Sequence, residues 1–201
     1  MSTETPASRR GRPKTLDSAH TLDVAMLSYW QEQPGALGVN EICRRAGISK
    51  PGFYREFGGE DGLMVAVLNH YWERVVRPSL QPLAADRPFS EVLGTVLDWL
   101  TQDRETPAGC LFSKMRAAPD RLGSETAARV AVLREEMRRA YQAWFERGLA
   151  RNEVNAAISP ELAGILIDTQ LMTVQIQMAV GEPPDQVRSQ AQWALSCLLP
   201  S

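Results

Sequence analysis

The sequence predicts an all-α protein of about nine helices, and two observations support this fold class. Apolar residues recur at three- and four-residue spacing through most of the 201-residue chain. Runs of β-branched residues with the alternation of a strand are missing from the sequence. With 44% apolar residues the chain can bury a substantial core, and its length fits one large domain or two small ones.

Composition also narrows the class of protein. No apolar run approaches the 18 residues of a membrane-spanning helix, so we expect no membrane partner. The N-terminus carries basic residues without an apolar stretch behind them, which argues against a secretory signal. The cysteines are odd in number and widely spaced, which favours the reducing cytoplasm over a disulfide framework: Cys43, Cys110 and Cys197.

The first three predicted helices include a sharp turn. Helix one follows a cap at Asp17 or Ser18, helix two spans about 39–46, and helix three spans about 50–57. Gly47 can adopt the left-handed backbone that ends a helix, and Ser49 is a good N-cap for the next one. This is the layout of a helix-turn-helix, in which the second helix of the motif enters the DNA major groove.

The remaining helices follow at intervals marked by proline and glycine. Helix four begins near Glu60 and runs toward Pro78, and residues 79–88 are expected to interrupt the helix because they contain Pro82 and Pro88. The later helices are predicted at about 90–101, 109–118, 124–148 with Ser124 as cap, 160–180 after Ser159, and 185–199.

The residues of helix three are expected to fall into two sets, one facing the core and one facing DNA. Phe53 and Phe57 lie four apart and would anchor helix three to its domain. Lys50, Tyr54 and Arg55 would then remain for DNA phosphates and base edges. An ordinary helical hairpin with a glycine turn is the alternative interpretation of the same pattern.

This part of the chain resembles the TetR family of bacterial one-component transcriptional repressors. The resemblance covers residues 11–71, and residues 109–112 resemble the start of helix six in one branch of the family. It rests on GlyArgProLys at 11–14, IleCysArgArgAlaGlyIleSerLys at 42–50, PheTyrArgGluPhe at 53–57, then Gly58, Leu63 and GlyCysLeuPhe at 109–112.

The resemblance implies a division of labour along the chain. Residues 1–15 would form a basic arm, 16–60 a helix-turn-helix DNA-binding head, and 61–201 a ligand-binding and dimerisation body. The partners would be a double-stranded, near-palindromic operator and a small hydrophobic or amphipathic effector that releases the protein from it. The residues expected to contact DNA are Arg9, Arg10, Arg12, Lys14, Ser49, Lys50, Pro51, Gly52, Tyr54 and Arg55.

Charge is distributed in agreement with a DNA-binding N-terminus. Residues 1–55 carry eight Lys and Arg against five Asp and Glu, a net +3, whereas the whole chain has a net charge of −2. The arm could therefore follow phosphates or enter a minor groove, and the alternative is a solubilising tail.

Three positions depart from the family pattern. Gly38 replaces a hydroxyl-bearing cap of helix two, Glu56 stands where a neutral or basic residue is usual, and Glu60 replaces a lysine that touches the DNA backbone. Two carboxylates near a polyanion keep open an alternative function, a helical ligand-binding or scaffold dimer that has lost operator binding.

Helix eight carries an unusual surface. Between Leu162 and Val180 its only charge is Asp168, and a helix that is apolar on more than one face needs more than one partner. By resemblance, the last two helices pair with their copies in a symmetric dimer. The alternative is that helix eight is the centre of a monomeric bundle.

The middle helices are expected to enclose a ligand cavity, although aromatic residues and methionines at helical spacing also suit a plain core. Cys110 follows Gly109 at a helix start, so a redox or electrophile sensor is an alternative to a packing role. The candidate lining residues are Trp99, Cys110, Phe112, Met115, Trp144, Phe145, Met172 and Ile176.

Catalytic and metal-binding patterns were not found in the sequence. His20 and His70 have no cysteine or carboxylate at metal-ligand spacing, so neither a metal site nor a cofactor is expected. Phosphate-binding loops and the common hydrolase and zinc signatures are missing, which argues against an enzyme.

Overall fold

The computed structural model describes residues 18–32, 37–102 and 106–200, and within these ranges it is built from helices without strands. This confirms the all-α prediction. Shorter π- and 3₁₀-helical segments extend some of the nine main helices. These are α1 Ser18–Gln31, α2 Val39–Ala46, α3 Lys50–Phe57, α4 Glu60–Tyr71, α5 Phe89–Thr101, α6 Leu111–Ala117, α7 Ser124–Ala150, α8 Pro160–Ala179 and α9 Pro184–Leu195.

Helices α1 to α3 form the head, a small unit closed by the first half of α4. Its core is made of side chains that the sequence spaces at helical intervals, so one face of each helix turns inward. The fully buried members from all four helices are Ala25, Tyr29, Ile42, Phe53 and Leu63.

Helix α4 continues further than predicted. A π-helical segment, Trp72–Val76, follows it directly, then a short α-helix, Arg77–Leu80, and a 3₁₀-helix, Gln81–Ala84. The expected interruption at residues 79–88 is therefore wrong for its first half. Pro78 and Pro82 each lie in the first turn of a new segment, at the points where the helix type changes.

The body is organised around α7, which is about 40 Å long at 1.5 Å per residue. It packs against α8 and α4, while α9 packs against α8 and α5. At its C-terminal half, Trp144 stacks on Phe89 with ring centroids 4.1 Å apart. Phe145 meets the same ring edge-on at 5.9 Å.

A buried ion pair joins three body helices. The Arg116 guanidinium in α6 donates two hydrogen bonds to the Asp168 carboxylate in α8, at 2.7 and 2.8 Å. Arg134 in α7 approaches the same carboxylate at 3.3 Å. Asp168, the only charged residue between Leu162 and Val180, therefore crosslinks the body.

Several predicted helix ends shift. Helix α6 begins two residues late because Gly109 has a left-handed backbone (φ 78°) and Cys110 is extended. Ser124 is the first residue of α7 rather than its cap. Helix α9 ends at Leu195, and a 3₁₀-helix, Ser196–Leu198, follows.

Two further predictions concern a membrane-spanning helix and the basic arm. Within the described ranges, no helix is both long and apolar enough to cross a membrane. The arm residues Arg9, Arg10, Arg12 and Lys14, and the alternative cap Asp17, lie outside the described residues.

Candidate nucleic-acid interface and ligand cavity

The turn before α3 has the predicted geometry. Gly47 is left-handed (φ 65°) and its N–H donates to the Cys43 carbonyl, so α2 ends there. The hydroxyl of Ser49 accepts a hydrogen bond from the Gly52 N–H at 3.2 Å, which confirms Ser49 as the cap of α3. The left-handed Gly47 and the Ser49 cap together define the turn between α2 and α3.

The side chains of α3 divide into an inner and an outer set. Phe53 is fully buried and Phe57 is half-buried, with ring centroids 5.6 Å apart. Tyr54 is 52% exposed, and its ring meets Phe53 edge-on at 5.4 Å. The exposed residues of the predicted DNA-contacting set are Ser49, Lys50, Pro51, Tyr54 and Arg55.

Gly52 is the one described member of that set that is buried. Its N–H is already bonded to Ser49, so within the protein it completes the first turn of α3. The structure thus brings five of the six described candidates onto one exposed surface, which we call the reading face. Their contact with DNA stays a prediction.

A tight junction connects α3 to α4. Gly58 ends α3 with a left-handed backbone (φ 71°). Gly62 lies against α3 so closely that a Cβ atom there would be 1.9 Å from the Phe57 carbonyl oxygen. The orientation of the reading face therefore follows the first turn of α4.

The two carboxylates that differ from the family pattern, Glu56 and Glu60, both interact with other residues of the head. Glu56 accepts a hydrogen bond from the Ser18 hydroxyl at 2.7 Å, which ties α3 to the start of α1. Burial raises the pKa of the Tyr29 phenol, and the nearby negative charge of Glu60 raises it further. Sequence reasoning missed both roles because each partner lies about 30 residues or more away in the chain.

Part of the basic charge of α2 is neutralised locally. Arg44 and Arg45 both bind the Glu41 carboxylate, at 2.6 and 2.7 Å, and Arg45 also reaches Glu32 at 2.8 Å. Their hydrogen bonds lower the pKa of Glu41 to about 2. The positive charge available near the turn therefore comes mainly from Lys50 and Arg55.

A carboxylate from α4 caps the long helix of the body. Asp61 accepts hydrogen bonds from the backbone N–H groups of Glu125 and Thr126 at 2.9 and 3.0 Å. The Thr126 hydroxyl also donates to the Asp61 carbonyl oxygen at 3.2 Å. This is the position that the sequence assigned to Ser124, and we call it the Asp61 cap.

Packing around the Asp61 cap leaves no spare room. A Cβ atom on Gly123 would lie 2.2 Å from the Asp61 carboxyl carbon. Two turns further along α4, Asn69 accepts a hydrogen bond from Arg129 of α7 at 2.6 Å. Two polar contacts, at Asp61 and at Asn69, therefore join α4 to α7 of the body.

Three of the eight predicted ligand-lining residues border a common cavity, and the other five lie elsewhere. Trp99, Cys110 and Phe112 line one small inner cavity of about 40 Å³, together with Tyr71, Val75 and Gln175. The Tyr71 hydroxyl donates to the Cys110 sulfur at 3.2 Å there.

The other five candidates do not line that cavity. Trp144 and Phe145 pack in the core against Phe89. Met115 and Met172 border a groove between α7 and α8, and Ile176 borders another groove near α6. Among the described residues no group of three potential metal ligands comes together.

Comparisons with known proteins agree with this geometry. Residues 22–67 match the family model described as bacterial regulatory proteins, tetR family. The HTH-type transcriptional repressor ComR of Escherichia coli K12 is 30% identical over 116 residues, which cover 55% of each chain. An uncharacterized HTH-type transcriptional regulator of Mycobacterium tuberculosis is 28% identical over 61% of this chain and 60% of its own. The chain thus spans little more than half the length of these relatives.

Solved structures extend the likeness to the body. The TetR family transcriptional regulator CifR, in a cysteine mutant complexed with 26-bp operator DNA, superposes with a TM-score of 0.76. That match has 22% identity and covers 92% of this chain and 98% of CifR. A TetR family regulator from Agrobacterium tumefaciens reaches a TM-score of 0.78 at 11% identity, covering 90% and 97%.

The family model matches the segment that contains the turn, the capped α3 and the first half of α4, and the structural matches share the arrangement of the helices that follow. Residues 22–67 therefore carry an N-terminal domain of the tetR type, and the described chain as a whole has the fold of solved TetR family regulators.

Proposed function

We propose that this protein is a ligand-responsive, homodimeric transcriptional regulator that represses by binding a near-palindromic operator. The observation that carries the proposal is the reading face: Lys50, Tyr54 and Arg55 are exposed on a helix whose other side is anchored by Phe53. A capped, outward-facing helix after a glycine turn is suited to the DNA major groove. The two relatives are described as an HTH-type transcriptional repressor and an HTH-type transcriptional regulator, and the matching family model as bacterial regulatory proteins.

A dimer would supply the second reading face. The outer surface of α8 and α9 has exposed apolar side chains at Leu162, Ile176, Val180 and Trp193. Because a two-fold dimer presents two equivalent recognition helices, it would bind two half-sites about one helical turn of DNA apart, or a multiple of it.

The small effector would act on the link between head and body. The inner cavity lies beside α4 and its π-helical segment, and its described lining carries no Asp, Glu, Lys or Arg. An apolar or amphipathic molecule there would release the operator if it binds more tightly to a state in which the two heads are differently spaced.

The DNA-binding proposal is tested with sequences selected from random duplexes by the purified protein. In gel shifts on a selected duplex, Lys50→Ala should weaken binding and reduce the salt slope by about one, because one phosphate contact is lost. Tyr54→Ala should weaken binding through loss of another backbone contact. Arg139→Ala is the matched control, since it removes an exposed charge from α7.

The second candidate function, a helical dimer without operator binding, gives a different result. Glu56 and Glu60 suggest this alternative, since both carry negative charge close to the reading face. Glu56 accepts a hydrogen bond from Ser18, and Glu60 lies near Tyr29. Such a protein would select no sequence, and any residual DNA association would not respond to Lys50→Ala or Tyr54→Ala. Undiminished binding in both variants would likewise overturn the assignment of the reading face.

A further inference from the structure

A groove of about 490 Å³ lies between α6, α7, α8 and the 3₁₀-helix Pro119–Arg121, and we call it the arginine groove. Its charged lining residues are Arg116, Arg134, Glu135 and Arg138. Its volume falls within the range of about 300–1,000 Å³ that is typical of small-molecule sites. None of its described lining residues also borders the inner cavity, so the two are separate compartments.

Two guanidinium groups of the arginine groove share one buried carboxylate. Arg116, whose side chain is only 6% exposed, binds both oxygens of Asp168 at 2.7 and 2.8 Å. Arg134 donates to the same carboxylate through its Nε atom at 3.3 Å, and 48% of its side chain is exposed. One negative charge does not neutralise two positive charges. Because Arg116 is buried, the excess positive charge is presented at the groove by Arg134.

A third guanidinium lies one helical turn further along α7. Arg138 follows Arg134 at the spacing that places two side chains on the same face of a helix. It lies 3.9 Å from Glu135, which also binds Arg139 at 3.1 Å. Glu135 is the only acidic residue in the described lining of the groove, and it too is shared by two arginines. The wall that α7 contributes is therefore positively charged.

The opposite part of the arginine groove is apolar, with side chains from Met115 in α6, Val130 in α7 and Met172 in α8. An uncharged apolar ligand would cover the Arg134 guanidinium without supplying a counter-charge, which is unfavourable. A carboxylate would supply that charge and would match the planar donor fork of a guanidinium. The lining therefore suits an anion that carries an apolar chain.

We propose that the arginine groove binds an amphipathic organic carboxylate. Arg134 and Arg138 bind its carboxylate group, and its hydrocarbon chain lies against Met115, Val130 and Met172. The site goes beyond the proposed function, because it is separate from the inner cavity and does not depend on DNA binding. Its ligand class differs as well, since the described lining of the inner cavity carries no Asp, Glu, Lys or Arg.

The test uses decanoate and 1-decanol, which have the same chain length, although only decanoate is ionised at neutral pH. Their dissociation constants are measured by equilibrium dialysis on the whole chain without DNA. Arg134→Gln and Arg138→Gln each remove one charge-assisted hydrogen bond, so each should weaken decanoate binding about tenfold. Binding of 1-decanol needs no guanidinium and should be equal in the wild type and both variants.

Arg139→Gln is the matched control, because it removes the same charge from the same helix. The Arg139 side chain is 74% exposed and does not line the groove, so decanoate binding should be unchanged. Circular dichroism and melting curves verify that the variants are folded. Arg138→Gln also leaves the contacts of Asp168 intact, so the test does not depend on Arg134→Gln alone.

The proposal is overturned if the wild type does not bind decanoate, or if neither Arg134→Gln nor Arg138→Gln weakens that binding. It is also overturned if Arg139→Gln weakens decanoate binding as much as they do, or if 1-decanol loses affinity in parallel. Since DNA is absent, these outcomes leave the operator-binding proposal to its own test.

Discussion

At the scale of single residues, glycines have opposite effects in two helices. Gly62 touches the Phe57 carbonyl, whereas a Cβ atom on Gly94 in α5 would meet nothing within 4 Å. Gly62→Ala should therefore lower the free energy of unfolding by about 1–3 kcal/mol through overpacking. Gly94→Ala should raise it by about 0.5–1 kcal/mol, because alanine favours a helix interior. Urea unfolding measures both, and equal effects would contradict the described α3–α4 junction.

A second residue-scale prediction concerns the buried ion pair. Asp168→Ala leaves the Arg116 guanidinium buried without a counter-charge, so the free energy of unfolding should fall by about 3–5 kcal/mol. Asp98→Ala is the control, since Asp98 forms an exposed pair with Arg188 and such pairs contribute about 0–1 kcal/mol. Similar losses in the two variants would mean that Asp168 is hydrated.

Residue patterns predicted the local features and missed the distant ones. The Ser49 cap and the Gly47 turn depend on neighbours within a few positions, so the sequence determined them. The partners of Glu56 and Asp61 lie 38 and 64 or more residues away, and no spacing rule connects them. Trp144 and Trp99 have the same helical periodicity, yet only Trp99 reaches the inner cavity, because periodicity identifies the inward face without distinguishing core from cavity.

At the scale of elements, the Asp61 cap joins the head to the longest helix of the body. Burial by itself raises the pKa of the Asp61 carboxyl, but the hydrogen bonds from Thr126 and from the N–H groups of Glu125 and Thr126 lower it below its ordinary value. A depressed folded-state pKa stabilises the protein above the unfolded-state pKa. That contribution is lost as pH falls through the folded-state pKa.

Asp61→Ala should therefore destabilise the protein at neutral pH by about 1 kcal/mol, as for other lost helix caps. The difference from the wild type should shrink on acidification, because protonation removes the same interaction from the wild type. Urea unfolding across the acidic range checks this. The control is Asp120→Ala, at an exposed aspartate in the 3₁₀-helix Pro119–Arg121 that precedes α7. A difference that is constant with pH would show that the charge of Asp61 has no part in the cap.

Helix order and type followed from the sequence, but helix ends did so unevenly. Ser159 caps α8 as predicted, with the Leu162 N–H at 3.2 Å from its hydroxyl. The predicted helical path after Tyr71 is too short. A proline at the start of a new helical segment has the same sequence pattern as a proline that ends a helix.

At the scale of the whole molecule, the exposed apolar face of α8 predicts the assembly state. Ile176→Glu should convert the proposed dimer into monomers, because a carboxylate would be buried at the interface without a partner. Val132→Glu is the matched control: Val132 is 50% exposed on α7, compared with 38% for Ile176 on α8. Sedimentation velocity gives the masses, and dimers that persist in Ile176→Glu would exclude this face from the interface.

The π-helical segment Trp72–Val76 affects the rotation of the head relative to the body. A π turn holds about one residue more than an α turn, and one residue corresponds to about 100° around a helix axis. This extra residue therefore sets the angle, measured around the helix axis, between helices α1–α4 and the segments that follow Val76. Deleting one residue from this segment, by an in-frame deletion of a single codon, would therefore rotate the head relative to the body by about 100°.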